Sequence, residues 1–134
     1  VKVYTPKTEF GPAEFRRMIY QQKPRMQLDD TFGVFDCPDA GQIAPRRNIS
    51  TTPLQALNLL NSTFALQQAG YFAERVEKDA GRDVSAQVKR VFALTFQRLP
   101  TEREQAAADK LVRDHGLAAL CRAVLNANEF VFVD

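Results

Sequence analysis

The chain has 134 residues, of which 45% are hydrophobic and 25% charged, a composition that is ordinary for a globular protein and disfavours disorder of the whole chain. Its formal net charge is only +2, so a nucleic-acid binder that works by neutralising phosphates is not expected. No window approaches the roughly 18 apolar residues of a membrane-spanning helix, and we expect no membrane span.

The N-terminal third differs from the rest of the chain. The stretch "GPAEFRRMIYQQ", residues 11–22, predicts a short helix, because Pro12 suits a first helical turn and Phe15 and Ile19 share one face. From residue 23 to 52, prolines and glycines interrupt any periodicity. This pattern indicates a long irregular loop, which its apolar side chains would tie to the helices.

The stretch "TPLQ", residues 52–55, predicts the start of a helix. Thr52 is a suitable N-cap, proline follows at the first helical position, and Gln55 stands at the third, which is the capping-box pattern. The residues that then follow one helical face are Leu54, Leu57 and Leu60 or Asn61.

Two further helices are predicted in the middle of the chain. One begins near Ser62, carries an apolar stripe and ends before Gly81, which is a good C-cap residue. The next begins near Asp83 or Ser85. Its inward residues are predicted to be Val88, Val91, Phe92 and Thr95 or Phe96.

The stretch "RLPTEREQ" predicts a fourth helix start, with Thr101 and Glu104 as a second capping box. In this helix Ala106, Ala107 and Leu111 are predicted to face the core, with Val112 as a further candidate. After Gly116 a last helix carries "LAALCRAVL", and "EFVFVD" closes the chain as an apolar tail or a final turn.

The predicted fold is all-α: an irregular bundle of four or five helices with the long N-terminal loop packed over it. No Asn-Gly or Asp-Gly hairpin turn separates alternating runs. We expect one domain over residues 1–134, with a helix and loop in 1–52 and the helical core in 53–134. Because the sequence begins with Val rather than Met, we expect an excised piece of a larger protein.

The residues that often carry catalysis or metals are sparse. His115 is the single histidine and lies at a predicted helix C-terminus, where capping accounts for it. Cys37 and Cys121 are too far apart for a CxxC motif, and Cys121 falls on an apolar helix face. We therefore expect no catalytic residues, no metal site and no cofactor in this chain.

The irregular loop holds the best candidates for ligand binding. Arg46 and Arg47 could bind an anion or carboxylate in bidentate fashion, and Asp36 and Asp39 could act as acid and base if an apolar neighbourhood raised one pKa. The alternative, which we favour, is that these arginines and aspartates clamp the loop internally.

Three ordered motifs resemble a known family: "FGVFDCPDAGQIAPRRNISTTPLQALNLLNS", "RVFALTFQRLPTEREQ" and "LNANEFVFVD". Together they are similar to the C-terminal domain of large planctomycete and verrucomicrobial proteins of the PSD group, domain of unknown function number 1553. The similarity runs from about Phe15 to Asp134. Members often have a cysteine just before the arginine of the loop, where this sequence has Ala44, which puts any role for that cysteine in doubt.

The resemblance implies a setting rather than an activity. It implies that the domain follows a sister domain of the same polypeptide, which would be its partner. It also implies export to an extracytoplasmic location and, in many members, a c-type haem in an upstream domain. The small-molecule ligand, if there is one, cannot be read from the residues.

Two functions follow as hypotheses. The first is a helical interaction or structural module without catalytic activity of its own, with an apolar patch formed by some of Phe10, Tyr20, Met26, Phe32 and Phe130. The second is that loop 29–47 contributes acid/base or anion-binding groups to a composite enzyme or redox site shared with an upstream domain.

Overall fold

The computed structural model of the chain describes residues 9–17, 20, 33–35 and 52–131. The predicted all-α class is confirmed, because these ranges contain helices and no strand. The α-helices are α1 (Pro53–Asn61), α2 (Thr63–Ala80), α3 (Val84–Thr95), α4 (Glu102–His115), α5 (Leu117–Leu125) and α6 (Asn128–Val131). Two short 3₁₀ turns, Pro12–Glu14 and Gly33–Phe35, precede them.

The chain divides into two compact units, Val1–Phe64 and Ala65–Asp134. The division falls just inside α2, so that α1 belongs to the first unit. That differs from the predicted grouping of α1 with the helical core. The expectation of a single domain stays a prediction.

The second unit contains a hydrophobic core of its own. Helices α3, α4 and α5 pack against one another, and α2 adds one apolar stripe to the core. Val76, Val88, Val91 and Cys121 are completely buried. The other buried core residues are Ala69, Ala73, Phe92, Ala108, Val112, Leu117, Leu120 and Val124.

Local capping sets the helix boundaries of this unit. Asp83 caps α3, with its carboxylate accepting from the Ala86 N–H at 3.1 Å, which selects the first of the two predicted starts. Helix α4 ends at His115 because Gly116 adopts a φ of 87°, a conformation that residues with a Cβ rarely take.

The predicted inward face of α4 is wrong in part. Ala106 and Ala107 are exposed and Leu111 is partly buried, whereas Ala108 and Val112 are the buried residues of this helix. Three consecutive alanines place the same apolar residue on different faces of the helix, so the periodicity does not show which face is buried. Burial is instead set by packing against α3 and α5, which turns a neighbouring stripe of α4 inward.

The predicted N-terminal helix is also interrupted within residues 11–17. Among residues 11–17, helical conformation is confined to the turn Pro12–Glu14. The Glu14 carboxylate accepts from the Gly11 N–H at 2.8 Å, and the chain leaves the turn at Phe15, with ψ at 81°. The turn buries no residue, so packing does not offset the cost of nucleating a longer helix.

The residues named for the predicted apolar patch differ in exposure, and the patch itself stays a prediction. Tyr20 and Phe130 are exposed. Phe10 is buried instead and packs edge-to-face on Phe64, with ring centroids 5.8 Å apart. Met26 and Phe32 lie outside the described residues.

Candidate functional site

The predicted ligand residues cannot be placed by the structure. Asp36, Asp39, Arg46 and Arg47 lie outside the described ranges, as does Cys37. The internal clamp and the composite site in loop 29–47 therefore both stay predictions.

The first capping box is present at the start of α1 and does more than cap. The Gln55 N–H donates to the Thr52 hydroxyl at 3.3 Å, and the Thr52 N–H donates to Gln55 Oε1 at 3.1 Å. The side-chain amide of Gln55 also donates to the carbonyl of Val34 at 3.1 Å. One glutamine thus completes the cap and fixes the turn Gly33–Phe35 beside the helix, a link that sequence reasoning missed.

The second capping box, at the start of α4, is part of a larger ionic cluster. The Glu104 carboxylate accepts from the Thr101 N–H at 2.7 Å and from its hydroxyl at 2.8 Å, while the Thr101 hydroxyl accepts from the Glu104 N–H at 3.3 Å. Arg98, in the turn between α3 and α4, then binds the same carboxylate with both terminal nitrogens, at 2.9 and 2.8 Å.

Arg98 also reaches across to α6. Its Nε donates to Glu129 Oε1 at 2.8 Å and its Nη2 to Glu129 Oε2 at 2.9 Å. We call Arg98, Glu104 and Glu129 the Arg98 clamp. The clamp joins the turn before α4 to the end of the described chain, and sequence reasoning missed it.

Aromatic side chains support the guanidinium from below. The Phe92 and Phe96 rings meet edge-to-face at 5.3 Å, and the guanidinium carbon of Arg98 lies 5.5 Å from each ring centroid. Gln97, with a φ of 55°, is the residue that turns the chain back over these rings after α3 ends. Such a left-handed residue just beyond a helix is usually glycine, so Gln97 holds a conformation that costs free energy.

The clamp is saturated, which limits what it can do chemically. A guanidinium has five N–H donors. The two carboxylates take four of them, and the Leu99 carbonyl accepts from Nη1 at 3.2 Å. No donor is left for an incoming anion, so Arg98 positions parts of the protein and does not bind a ligand in this conformation.

The pKa shifts of the Arg98 clamp also indicate that its groups are fixed as ion pairs. Hydrogen bonds from Arg98, and then from Thr101, lower the pKa of Glu104 to about 2. Arg98 also lowers the pKa of Glu129, and the two carboxylates together raise the pKa of the guanidinium. At neutral pH both glutamates are ionised, and neither holds a proton to donate as a general acid.

The histidine and the cysteine of the second unit both lie where a structural role accounts for them. His115 is exposed in the last turn of α4, as predicted from its position. Cys121 is completely buried in the core, and burial raises the pKa of its thiol to about 12. A thiol that stays protonated is a poor nucleophile and a poor metal ligand.

Neither a metal cluster nor a membrane helix is found in the described ranges. No three His, Cys, Asp or Glu side chains there come close enough together to bind a metal ion. No described helix is both long and apolar enough to cross a lipid bilayer. A groove between α2 and α3 is lined by Glu77, Gly81, Arg82 and Gln87, and the Gln87 side chain already donates to the Gly81 carbonyl.

Comparison with known families decides where the chain belongs. The family model described as PSD1, protein of unknown function (DUF1553), matches residues 1–112. The chain belongs to this family. Neither a curated protein nor a solved structure matches the sequence. The PSD1 match ends within α4, so it includes Arg98 and Glu104 but stops short of Glu129.

Proposed function

We propose that this PSD1 chain is a helical interaction module of a larger extracytoplasmic protein, without catalytic activity of its own. Its docking surface would be the leucine face of α1, formed by Leu54, Leu57 and Leu60. The occupant would be an uncharged, apolar surface on another domain of the same polypeptide. The observation that carries the proposal is that α1 buries none of its residues.

The leucine face is unusually exposed for its composition. Four of the nine residues of α1 are leucines, yet Leu54 is 62% exposed, Leu57 55% and Leu60 38%. A nine-residue helix is too short to be stable in water through backbone propensity alone, and most helices of this length depend on a packed apolar face. α1 has a capping box to stabilise its start, but its leucine face stays largely exposed.

The absence of charge supports a protein partner over a solvated role. The chain has 18 basic and 16 acidic side chains, but residues 48–73 contain no Asp, Glu, Lys, Arg or His. A helix face that stays in water normally carries charges. Depletion of charge is instead typical of the centre of a protein interface, and it indicates an occupant that is itself uncharged.

The choice of occupant and of location rests on the family resemblance. The resemblance implies that the domain follows a sister domain. A neighbouring domain in the same polypeptide is present at high effective concentration. The leucine face can therefore stay covered by that neighbour with a smaller buried interface area than a separate partner protein would require. Export, and a c-type haem in an upstream domain, are proposed on the same basis.

Thiol labelling of an introduced cysteine tests the proposal, because Cys121 is completely buried. Leu57→Cys is made in a Cys37→Ser background, and its maleimide labelling rate is compared between the 134-residue chain and the full-length protein. Ala106→Cys is the matched control, because Ala106 is an exposed position on another helix. We expect labelling at position 57 to slow at least about tenfold in the full-length protein, the effect of a contact that stays closed about nine-tenths of the time. Labelling at position 106 should be unchanged.

Equal labelling at position 57 in both proteins would overturn the proposal. Equal slowing at positions 57 and 106 would also count against it, because general crowding by the rest of the protein would then explain the result.

A further inference from the structure

The last described helix is attached to the protein in an unusual way. α6 has four residues and buries none of them. Its first turn is continuous with the end of α5, where the Ala127 N–H donates to the Val124 carbonyl at 3.1 Å. It packs against α5, and two hydrogen bonds between Glu129 and Arg98 tie it to the turn before α4.

We propose that Glu129 and Arg98 form a releasable latch for the C-terminal segment, and that Arg98 stays bound to Glu104 when the latch opens. Detachment of α6 would then be a separate event from unfolding of the core. This inference does not depend on the leucine face of α1.

The two halves of the Arg98 clamp are held very differently. Glu104 is fixed in the first turn of α4 and accepts two hydrogen bonds from Thr101 in addition to those from Arg98. Glu129 accepts its described hydrogen bonds from Arg98 alone. Its side chain is also more exposed, at 49% against 35% for Glu104. When the clamp opens, the less constrained carboxylate leaves first.

Opening the latch leaves little unsatisfied. Arg98 keeps its two bonds to Glu104 and its position over the Phe92 and Phe96 rings. The donors that Glu129 releases face solvent, where water can replace the carboxylate. An exposed ion pair of this kind is weak and is screened by salt. The latch should therefore respond to ionic strength within the range in which the core stays folded.

Hydrogen–deuterium exchange on the whole chain tests the latch. We compare the wild type with Glu129→Gln and Glu129→Ala, and we raise the salt concentration from about 20 mM to about 0.5 M. Exchange of the peptide that contains α6 should accelerate at least about threefold in both variants and at high salt. The peptides that cover α3 and α4 should not change.

Asp79→Asn is the matched control. It breaks the ion pair between Arg90 and Asp79, which also lies on the surface of the second unit, at 3.0 and 2.7 Å, but joins α2 to α3. This variant should leave exchange in α6 unchanged.

Two outcomes would overturn the latch. If both Glu129 variants exchange like the wild type, packing on α5 holds α6 and the ion pair is incidental. If they also accelerate exchange in the first turn of α4, the Arg98 clamp opens as one unit. Glu104→Gln provides the reference for that second case, because it should loosen both α4 and α6.

Discussion

Val91 and Leu57 both belong to an apolar helical pattern, but one is a core position and the other a surface position. Replacing each by alanine should therefore lower the free energy of unfolding by different amounts. Val91 is completely buried, whereas Leu57 is 55% exposed. For Val91→Ala, two methyl groups lose about 1.6 kcal/mol of transfer free energy and the cavity adds about 1 kcal/mol. The better helix propensity of alanine returns about 0.5 kcal/mol. The free energy of unfolding should therefore fall by about 2 kcal/mol.

For Leu57→Ala the same reasoning gives a much smaller loss. Less than half of the side chain is removed from water, so truncation costs about 1 kcal/mol of transfer free energy at most. No enclosed cavity forms at an exposed site, and alanine again favours the helix. The loss should be below about 1 kcal/mol.

Urea unfolding followed by far-UV circular dichroism measures both losses. The slope against denaturant should stay constant, so that the shift in midpoint reports stability. If Leu57→Ala cost as much as Val91→Ala, the leucine face would already be covered within the 134-residue chain. The argument for a partner surface on α1 would then fail.

Four further predictions follow from single contacts. Thr101→Ala should lower the free energy of unfolding by about 1 kcal/mol, and Thr101→Ser should restore most of it, because a hydroxyl is what the cap needs; equal losses in thermal unfolding would contradict this. Gln97→Gly should raise the free energy of unfolding by about 1 kcal/mol, since glycine adopts the positive φ without a Cβ penalty, and a lower melting temperature would refute it. Cys121, measured in a Cys37→Ser background, should not react with a thiol reagent at mildly alkaline pH until the protein is unfolded, because its pKa is raised to about 12; fast reaction of the native protein would show that the core opens there. The lowered pKa of Glu104 means that its contribution to stability is complete above pH 4.5 and is lost as the pH falls towards 2. Glu104→Gln should therefore flatten the acid side of the stability–pH curve, and an unchanged curve would count against the clamp geometry.

Helix starts were the most predictable feature of the fold, because they depend on residues three positions apart. The capping residues are Thr52, Asp83 and Thr101. In each case the side-chain oxygen accepts a hydrogen bond from the backbone N–H of the residue three positions later. Such signals need no knowledge of the tertiary structure. The all-α class followed from the same punctuation and from the apolar periodicity between the caps.

Which face is buried was less predictable, because burial depends on what packs against a helix. The stripe of α3 was predicted correctly at Val88, Val91 and Phe92. In α4 the alanine run hid the true phase, so that Ala106 and Ala107 were misplaced. Periodicity locates apolar residues on a helix, but it does not say which neighbour, if any, covers them.

The Arg98 clamp was beyond the reach of local patterns. "RLPTERE" does contain a signal for half of it, since an arginine three residues before the N-cap of a capping box can reach the glutamate of that box. Glu129 lies 31 residues further along the chain, and only the packing of α3, α4 and α5 brings its helix near. A pairing of this separation cannot be inferred from one sequence.

The two units therefore differ in how their reactive and apolar side chains are placed. In Ala65–Asp134 the polar groups that looked most reactive are already committed: Cys121 is buried, and Arg98 uses all five donors. The exposed leucine face of α1 falls in Val1–Phe64, as do the predicted ligand residues of loop 29–47, which lie outside the described residues. Variants that test the proposed docking surface therefore belong in the first unit, and variants that test the attachment of α6 belong in the second.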